Sequence, residues 1–168
     1  TARSTDVDVV LDLMIHDLDI VHAMVRRPIA ALDAVGVNAL TDKVDIANVR
    51  VRFEGGCVAN LTASRISVEK VRKLRVFEPD AYLSLDYARQ EGLIYALRPG
   101  AGGRPEITRE SLVVEGEEPL LAELRAFVRR AAGGDAAIVS GAEGVEALRT
   151  ARRILETIAR ERAAAESR

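Results

Sequence analysis

The sequence predicts an α+β fold: a mainly antiparallel β-meander with helices at both ends. Three observations lead there. Apolar residues recur at helical spacing near both ends of the chain, whereas from Ala30 to about Leu97 they alternate with polar ones. The connections between the alternating runs are too short to hold crossover helices, so the strands must form a meander rather than a parallel sheet. At 168 residues the chain suits one domain, residues 1–168, which would remove roughly 70% of its unfolded surface from water.

The first helix is expected from Asp8 to Arg26. It is apolar at nearly every helical angle, through Val9, Val10, Leu11, Leu13, Met14, Ile15, Leu18, Ile20, Val21, Met24 and Val25, so it should be buried on most sides. Pro28 supplies its stop. Val49, Val51 and Phe53 then alternate with Arg50 and Arg52, Glu54-Gly55-Gly56 turns the chain, and Cys57, Ala59, Leu61 and Ala63 alternate with Asn60, Thr62 and Ser64. This is a hairpin with one buried and one polar face, in which Cys57 reads as a small strand hydrophobe. Val44 and Ile46 fall on the opposite parity, which predicts a bulge near Ala47-Asn48. Further strands are expected at Leu74 and Val76, from Ala81 to Tyr87, from Leu93 to Leu97 and from Ile107 to Glu115. A helix should start at Pro119, with Leu120, Leu124, Phe127, Val128 and Ala131 as its inward stripe and Gly133-Gly134 closing it. The last, from Ala142 to Ala164, should turn Val145, Leu148, Ala151, Leu155 and Ile158 inward.

Composition excludes several classes of function. The 24 basic and 26 acidic residues are interspersed and give a formal charge of −2, with no dense basic block for nucleic acid. A single cysteine permits neither an internal disulfide nor a thiolate metal cage, which reads as a reduced, cytoplasmic protein. No apolar run reaches the roughly 18 residues of a membrane span, and no signal peptide opens the sequence. The chain begins without methionine and is read as a piece of something longer.

The informative segment is Leu11-Asp12-Leu-Met-Ile-His16-Asp17-Leu-Asp19. On a regular helix Asp8, Asp12, His16 and Asp19 fall within roughly 80° of one another, a polar stripe on an apolar element. Polar groups resist burial, so the stripe faces water, a partner or a site. A carboxylate four residues from an imidazole can orient the ring and favour its charged form, as a general acid or base requires; a merely solvated stripe is the competing reading. His16-Asp17 also resembles the metal pair of HD-type phosphohydrolases, but His22 is the only other histidine and the spacing matches no established ligand pattern. The Gly100–Gly103 stretch, flanked by Pro99 and Pro105 and followed by a strand, reads as a loop and not as a phosphate cradle. Arg65, inward by parity at a strand end, and Lys70 are candidates to meet an anionic substrate, against the alternative that both are solvated.

Leu11 to Asp19 resembles the "LDxxIHDLD" helix of the Gfo/Idh/MocA family of NAD(P)-dependent oxidoreductases. Glu118-Pro119-Leu120 through Phe127, and Val139-Ser140-Gly141 through Leu148, resemble that family's closing segments in the same order. The resemblance implies the C-terminal domain of a sugar dehydrogenase, an open, mainly antiparallel β-sheet with helices packed on one face and the other face available for oligomerisation, with residues 1–168 as a substrate-binding and oligomerisation domain. It implies His16 as the catalytic histidine that handles the proton of a sugar hydroxyl, and Asp12 as its neighbour. It implies NAD or NADP on an N-terminal Rossmann domain, with no cofactor held tightly by this chain, which alone would be inactive. A sugar or nucleotide-sugar substrate and a homo-oligomer through the sheet face complete the expectation. Leu40 to Asn48 and Ala59 to Arg65 further resemble members that oxidise the 3-hydroxyl of UDP-N-acetylglucosamine-type sugars. The rival readings are a non-catalytic dimerisation or ligand-binding module and a metal-dependent hydrolase.

Overall fold

Alternation prevails over helical spacing through the middle of the chain, where a computed structural model places seven β-strands; it describes residues 6–68, 71–100, 104–113 and 116–167. The strands are β1 (Ile29–Val37), β2 (Ile46–Phe53), β3 (Val58–Ser64), β4 (Lys73–Phe77), β5 (Ala81–Asp86), β6 (Glu91–Pro99) and β7 (Pro105–Val113). The helices are α1 (Ile15–Val25), preceded by a π-helical turn at Val10–Met14, α2 (Pro119–Ala131) and α3 (Gly141–Glu166). The class is α+β, and every strand pairing is antiparallel. The strands form two sheets in place of the one expected, β1-β2-β3 and β4-β5-β6-β7, each a meander in chain order. Two compact units result, Thr1–Val68 with Val139–Arg168, and Glu69–Ile138.

In the first unit the hairpin has the expected turn. Arg52 pairs with Val58, and the Phe53 amide donates to the Cys57 carbonyl at 2.9 Å. Gly55 and Gly56 take φ of +88° and +91°, a conformation that a Cβ would strain, which is why two glycines stand there. Cys57 ends in this turn and is exposed, so it is not the strand hydrophobe expected. Ala47, Val49, Val51 and Phe53 are buried in alternation with exposed Asn48, Arg50 and Arg52. The expected bulge at Ala47-Asn48 is absent because Ala47 simply begins the inward parity; the register shift lies in β1, between Ile29 and Ala31. The outer face is polar, with Arg50 donating to Asn60 (2.9 Å) and Thr62 to Asn48 (2.8 Å).

One hydrophobic core joins this sheet to the helices. Val9, Val10, Met14 and Leu18 pack with Ala151, Ile154 and Ile158 over Ala34, Val49, Val51, Phe53, Leu61 and Ala63. The inward face of α3 holds Ala151 and Ile158 as expected, with Leu155 partly buried against the core, but not Val145 and Leu148. Ala147, Thr150, Ala151, Ile154, Thr157 and Ile158 are buried, while Val145 and Leu148 stay 45% and 44% exposed. Small residues let α3 approach closely, and Thr150 and Thr157 satisfy their hydroxyls on His22 and on the Arg153 carbonyl. The helix starts at a capping box, in which the Ser140 side chain accepts from the Glu143 amide and the Glu143 carboxylate from the Ser140 amide.

Gly36 marks the closest approach of α3 to β1. A Cβ there would lie 2.9 Å from Cδ1 and Cγ2 of Ile158 and 2.9 Å from Cγ1 of Val44. Gly36→Ala should therefore destabilise the chain by about 1–3 kcal/mol, through displaced packing. Chemical denaturation checks this; an unchanged midpoint would mean that α3 shifts freely at this point.

In the second unit, β5 is half-buried along its whole length. The Phe77, Tyr82 and Tyr95 rings stack across β4, β5 and β6 with centroids 4.8 and 5.8 Å apart. The α2 helix begins as expected, with the Glu118 carboxylate accepting from the Leu120 and Leu121 amides. Its apolar stripe is not inward: Leu120, Leu124, Phe127 and Val128 are 53–64% exposed. The periodicity is real, but no covering element lies over it among the described residues.

Candidate functional site

The segment that carries the expected chemistry is anchored before its helix begins. Asp8 uses its Oδ1 to accept the Val44 amide (2.7 Å), and the Val9 amide donates to the Val44 carbonyl (2.8 Å). The backbone then winds through the π-turn, whose extra residue changes the angular relation of everything before Ile15 to everything after it. A regular projection of Asp8, Asp12, His16 and Asp19 therefore does not apply. Val10 and Met14 are buried on the turn, whereas Asp12 is partly exposed within it, and His16 is exposed in the first turn of α1. Such single π-turns inside helices recur at functional sites. Among the described residues no hydrogen bond or ion pair joins Asp12 to His16.

Asp12 is instead brought together with Arg65. The Arg65 Nη2 lies 4.0 Å from Asp12 Oδ2, with side chains 11% and 30% exposed. The same Nη2 donates to the Val7 carbonyl, and Nη1 donates to Asp45 Oδ1 at 3.5 Å. Arg65 thus closes the end of β3 against the entry to the helix and is committed to three groups of its own chain.

Asp45 is the residue that the sequence did not bring forward. It is fully buried. Its Oδ2 accepts the amides of Ala39 (2.8 Å), Leu40 (2.7 Å) and Thr41 (2.9 Å), and its Oδ1 accepts the Thr41 hydroxyl (2.9 Å). The Leu40 amide above all, then those of Thr41 and Ala39 and the Thr41 hydroxyl, hold its carboxyl well below the usual carboxylate range despite burial, which pushes the other way. A signal was available. In the β2–β3 register Ile46 pairs with Ser64, so the next pair outward sets Asp45 opposite Arg65, and the Arg65 amide donates to the Asp45 carbonyl at 3.0 Å.

His22 belongs to the packing. Its Nε2 is 2.9 Å from Thr150 Oγ1, and its ring meets Phe53 edge-on at 6.0 Å. Lys70 lies outside the described residues. Among the described residues no group of three histidine, cysteine, aspartate or glutamate side chains converges as a metal would require, and no helix is long and apolar enough to cross a membrane. Gly100 follows β6, which pairs antiparallel with β7, the next described element, and not with a helix as a dinucleotide cradle would require; residues 101–103 of the glycine-rich stretch lie outside the described residues.

The chain that carries this arrangement is matched by known proteins in both sequence and fold. The GFO/IDH/MocA C-terminal domain family matches residues 2–81. UDP-N-acetylglucosamine 3-dehydrogenase of Acidithiobacillus ferrooxidans is 37% identical over 152 residues, 89% of this chain and 48% of that protein. The chain belongs to the GFO/IDH/MocA family, as a C-terminal domain. A solved structure of the same A. ferrooxidans enzyme superposes with a TM-score of 0.83 at 34% identity, over 94% of this chain and 51% of that one. Levoglucosan dehydrogenase in complex with NADH and levoglucosan shares the fold, with a TM-score of 0.75 at 18% identity over 91% of this chain and 48% of that one. This GFO/IDH/MocA chain spans about half the length of the relatives it matches.

Proposed function

We propose that the chain is the substrate-binding and catalytic-histidine domain of an NAD(P)-dependent dehydrogenase that oxidises a nucleotide sugar of the UDP-N-acetylglucosamine type. The observation that carries this reading is the placement of Asp12 and His16. Both reach solvent at the start of a helix whose Val10, Met14 and Leu18 are buried, in a chain 37% identical to a UDP-N-acetylglucosamine 3-dehydrogenase. His16 takes the proton of the sugar hydroxyl, which an imidazole near neutral pH is suited to do. Asp12 accepts a hydrogen bond from the sugar and keeps it in register with the ring. Arg65 serves the substrate site through its pair with Asp12, and Lys70 is a further cation for the substrate. The nicotinamide belongs to residues outside this chain, in an N-terminal Rossmann domain of the full-length protein. Self-association through a sheet face is part of the proposal, and the second unit offers the stacked Phe77, Tyr82 and Tyr95 for it.

The test is turnover by the full-length protein with UDP-N-acetylglucosamine and NAD⁺ or NADP⁺. Reduced nicotinamide and the 3-keto sugar should form together, while the 168-residue chain alone should produce neither. A folded full-length protein that binds nicotinamide but reduces none of it with this sugar would overturn the substrate assignment.

A further inference from the structure

Resting on that reading, we propose that Asp45 is a positioning residue for Asp12, acting through the guanidinium of Arg65. The argument begins with charge. Two carboxylates and one guanidinium meet at the junction of β2, β3 and the helix entry. Arg65 is nearly buried and Asp45 wholly so, whereas Asp12 is the member that reaches solvent. A buried ion pair of this kind is weak evidence of a stabilising device, since apolar residues of similar volume often serve stability as well or better. Geometry suits a different purpose. A guanidinium offers a rigid planar fork of donors, so fixing one arm fixes the direction of the other.

Asp45 fixes the first arm. It is itself immobilised by three backbone amides and a hydroxyl from Ala39–Thr41, and cannot rotate without abandoning them. The second arm then meets the Val7 carbonyl and Asp12 Oδ2, so the guanidinium grips both the start of the helical segment and the carboxylate within its π-turn. Among the described residues the Asp12 side chain has no partner besides Arg65. One side of that carboxylate is held and the other is left for a sugar hydroxyl. The same contact draws positive charge against Asp12. Neither Asp45 nor Arg65 needs to touch substrate for this to work; their effect arrives through the direction of Asp12.

The experiment is a double-mutant cycle on kcat in the full-length enzyme, with Asp45→Asn and Asp12→Asn alone and together. Asp45→Asn should lower kcat about tenfold, the scale of one charge-assisted hydrogen bond, and should leave cofactor affinity, measured by calorimetry, within twofold. In the Asp12→Asn background it should cost nothing further, because the residue it positions is gone. Losses that multiply across the two sites, or a wild-type kcat for folded Asp45→Asn, would overturn the positioning role while leaving the dehydrogenase reading intact. If Asp45→Asn does not fold, Arg65→Lys runs the same cycle, since a lysine cannot bridge both carboxylates with a planar fork; additive losses there would equally overturn the proposal. Absence of nucleotide-sugar oxidation by the wild-type enzyme would remove the underlying reading and this proposal with it.

Discussion

His16→Ala is expected to lower the turnover of the full-length dehydrogenase by roughly 10²–10⁴-fold, the usual contribution of a positioned proton acceptor. The size follows from where the residue sits. His16 is exposed in the first turn of α1 while Met14 and Leu18 on either side of it are buried, so removing its ring leaves the helix packed and deletes only the proposed proton acceptor. His22, the chain's other histidine, cannot take over, because its Nε2 is occupied at Thr150 and its ring packs on Phe53. Under the proposed function cofactor affinity should stay unchanged, since the nicotinamide would be held by residues outside this chain. Steady-state turnover together with calorimetric cofactor binding checks both halves. An unaltered kcat would remove His16 from the chemistry and favour the reading of this unit as a non-catalytic binding module.

Ile154→Ala should destabilise the chain by about 2–5 kcal/mol, the cost of truncating a fully buried aliphatic side chain whose surroundings cannot close over the space. Ile154 is inaccessible to solvent, as are Ala151, Met14 and Val10 in the same core. Its helix is packed on both α1 and β1, so collapse onto the void would require two elements to move together. Leu148→Ala on the same helix is the internal control. Leu148 is 44% exposed, and its truncation should cost well under half as much. Equilibrium denaturation of the three proteins ranks them; an equal loss at both positions would mean that the Leu148 face is covered in solution.

That comparison shows where the sequence was legible. The hairpin around Gly55-Gly56 could be read because its signals are local: two-residue alternation and a turn that needs positive φ. The limits of α2 could be read from Pro119 and the paired glycines for the same reason. The inward face of α3 could be read only in part: Ala151 and Ile158 stood in its apolar stripe, but periodicity also weights large apolar residues such as Val145 and Leu148, whereas a close helix-to-sheet approach selects small ones such as Ala147 and Thr150. The split into two sheets is likewise a tertiary outcome, invisible in any single strand's pattern. For the site, Asp12 and His16 stood out because a polar pair on an apolar helix is anomalous on its face. The π-turn between them carries no residue signature, so the touching pair expected of them is replaced by Asp12 with Arg65. Asp45 was legible only to a reader who carried the hairpin register one pair beyond its last hydrogen-bonded residues.

Three consecutive amides, Ala39, Leu40 and Thr41, turned onto one carboxylate oxygen make an anion nest of the kind that elsewhere receives a phosphate. Here the anion is supplied by the chain itself. An external anion is therefore shut out of this nest. The ordering entropy of that loop is spent during folding and not at each encounter with substrate, so the segment is preorganised and does not serve as a lid.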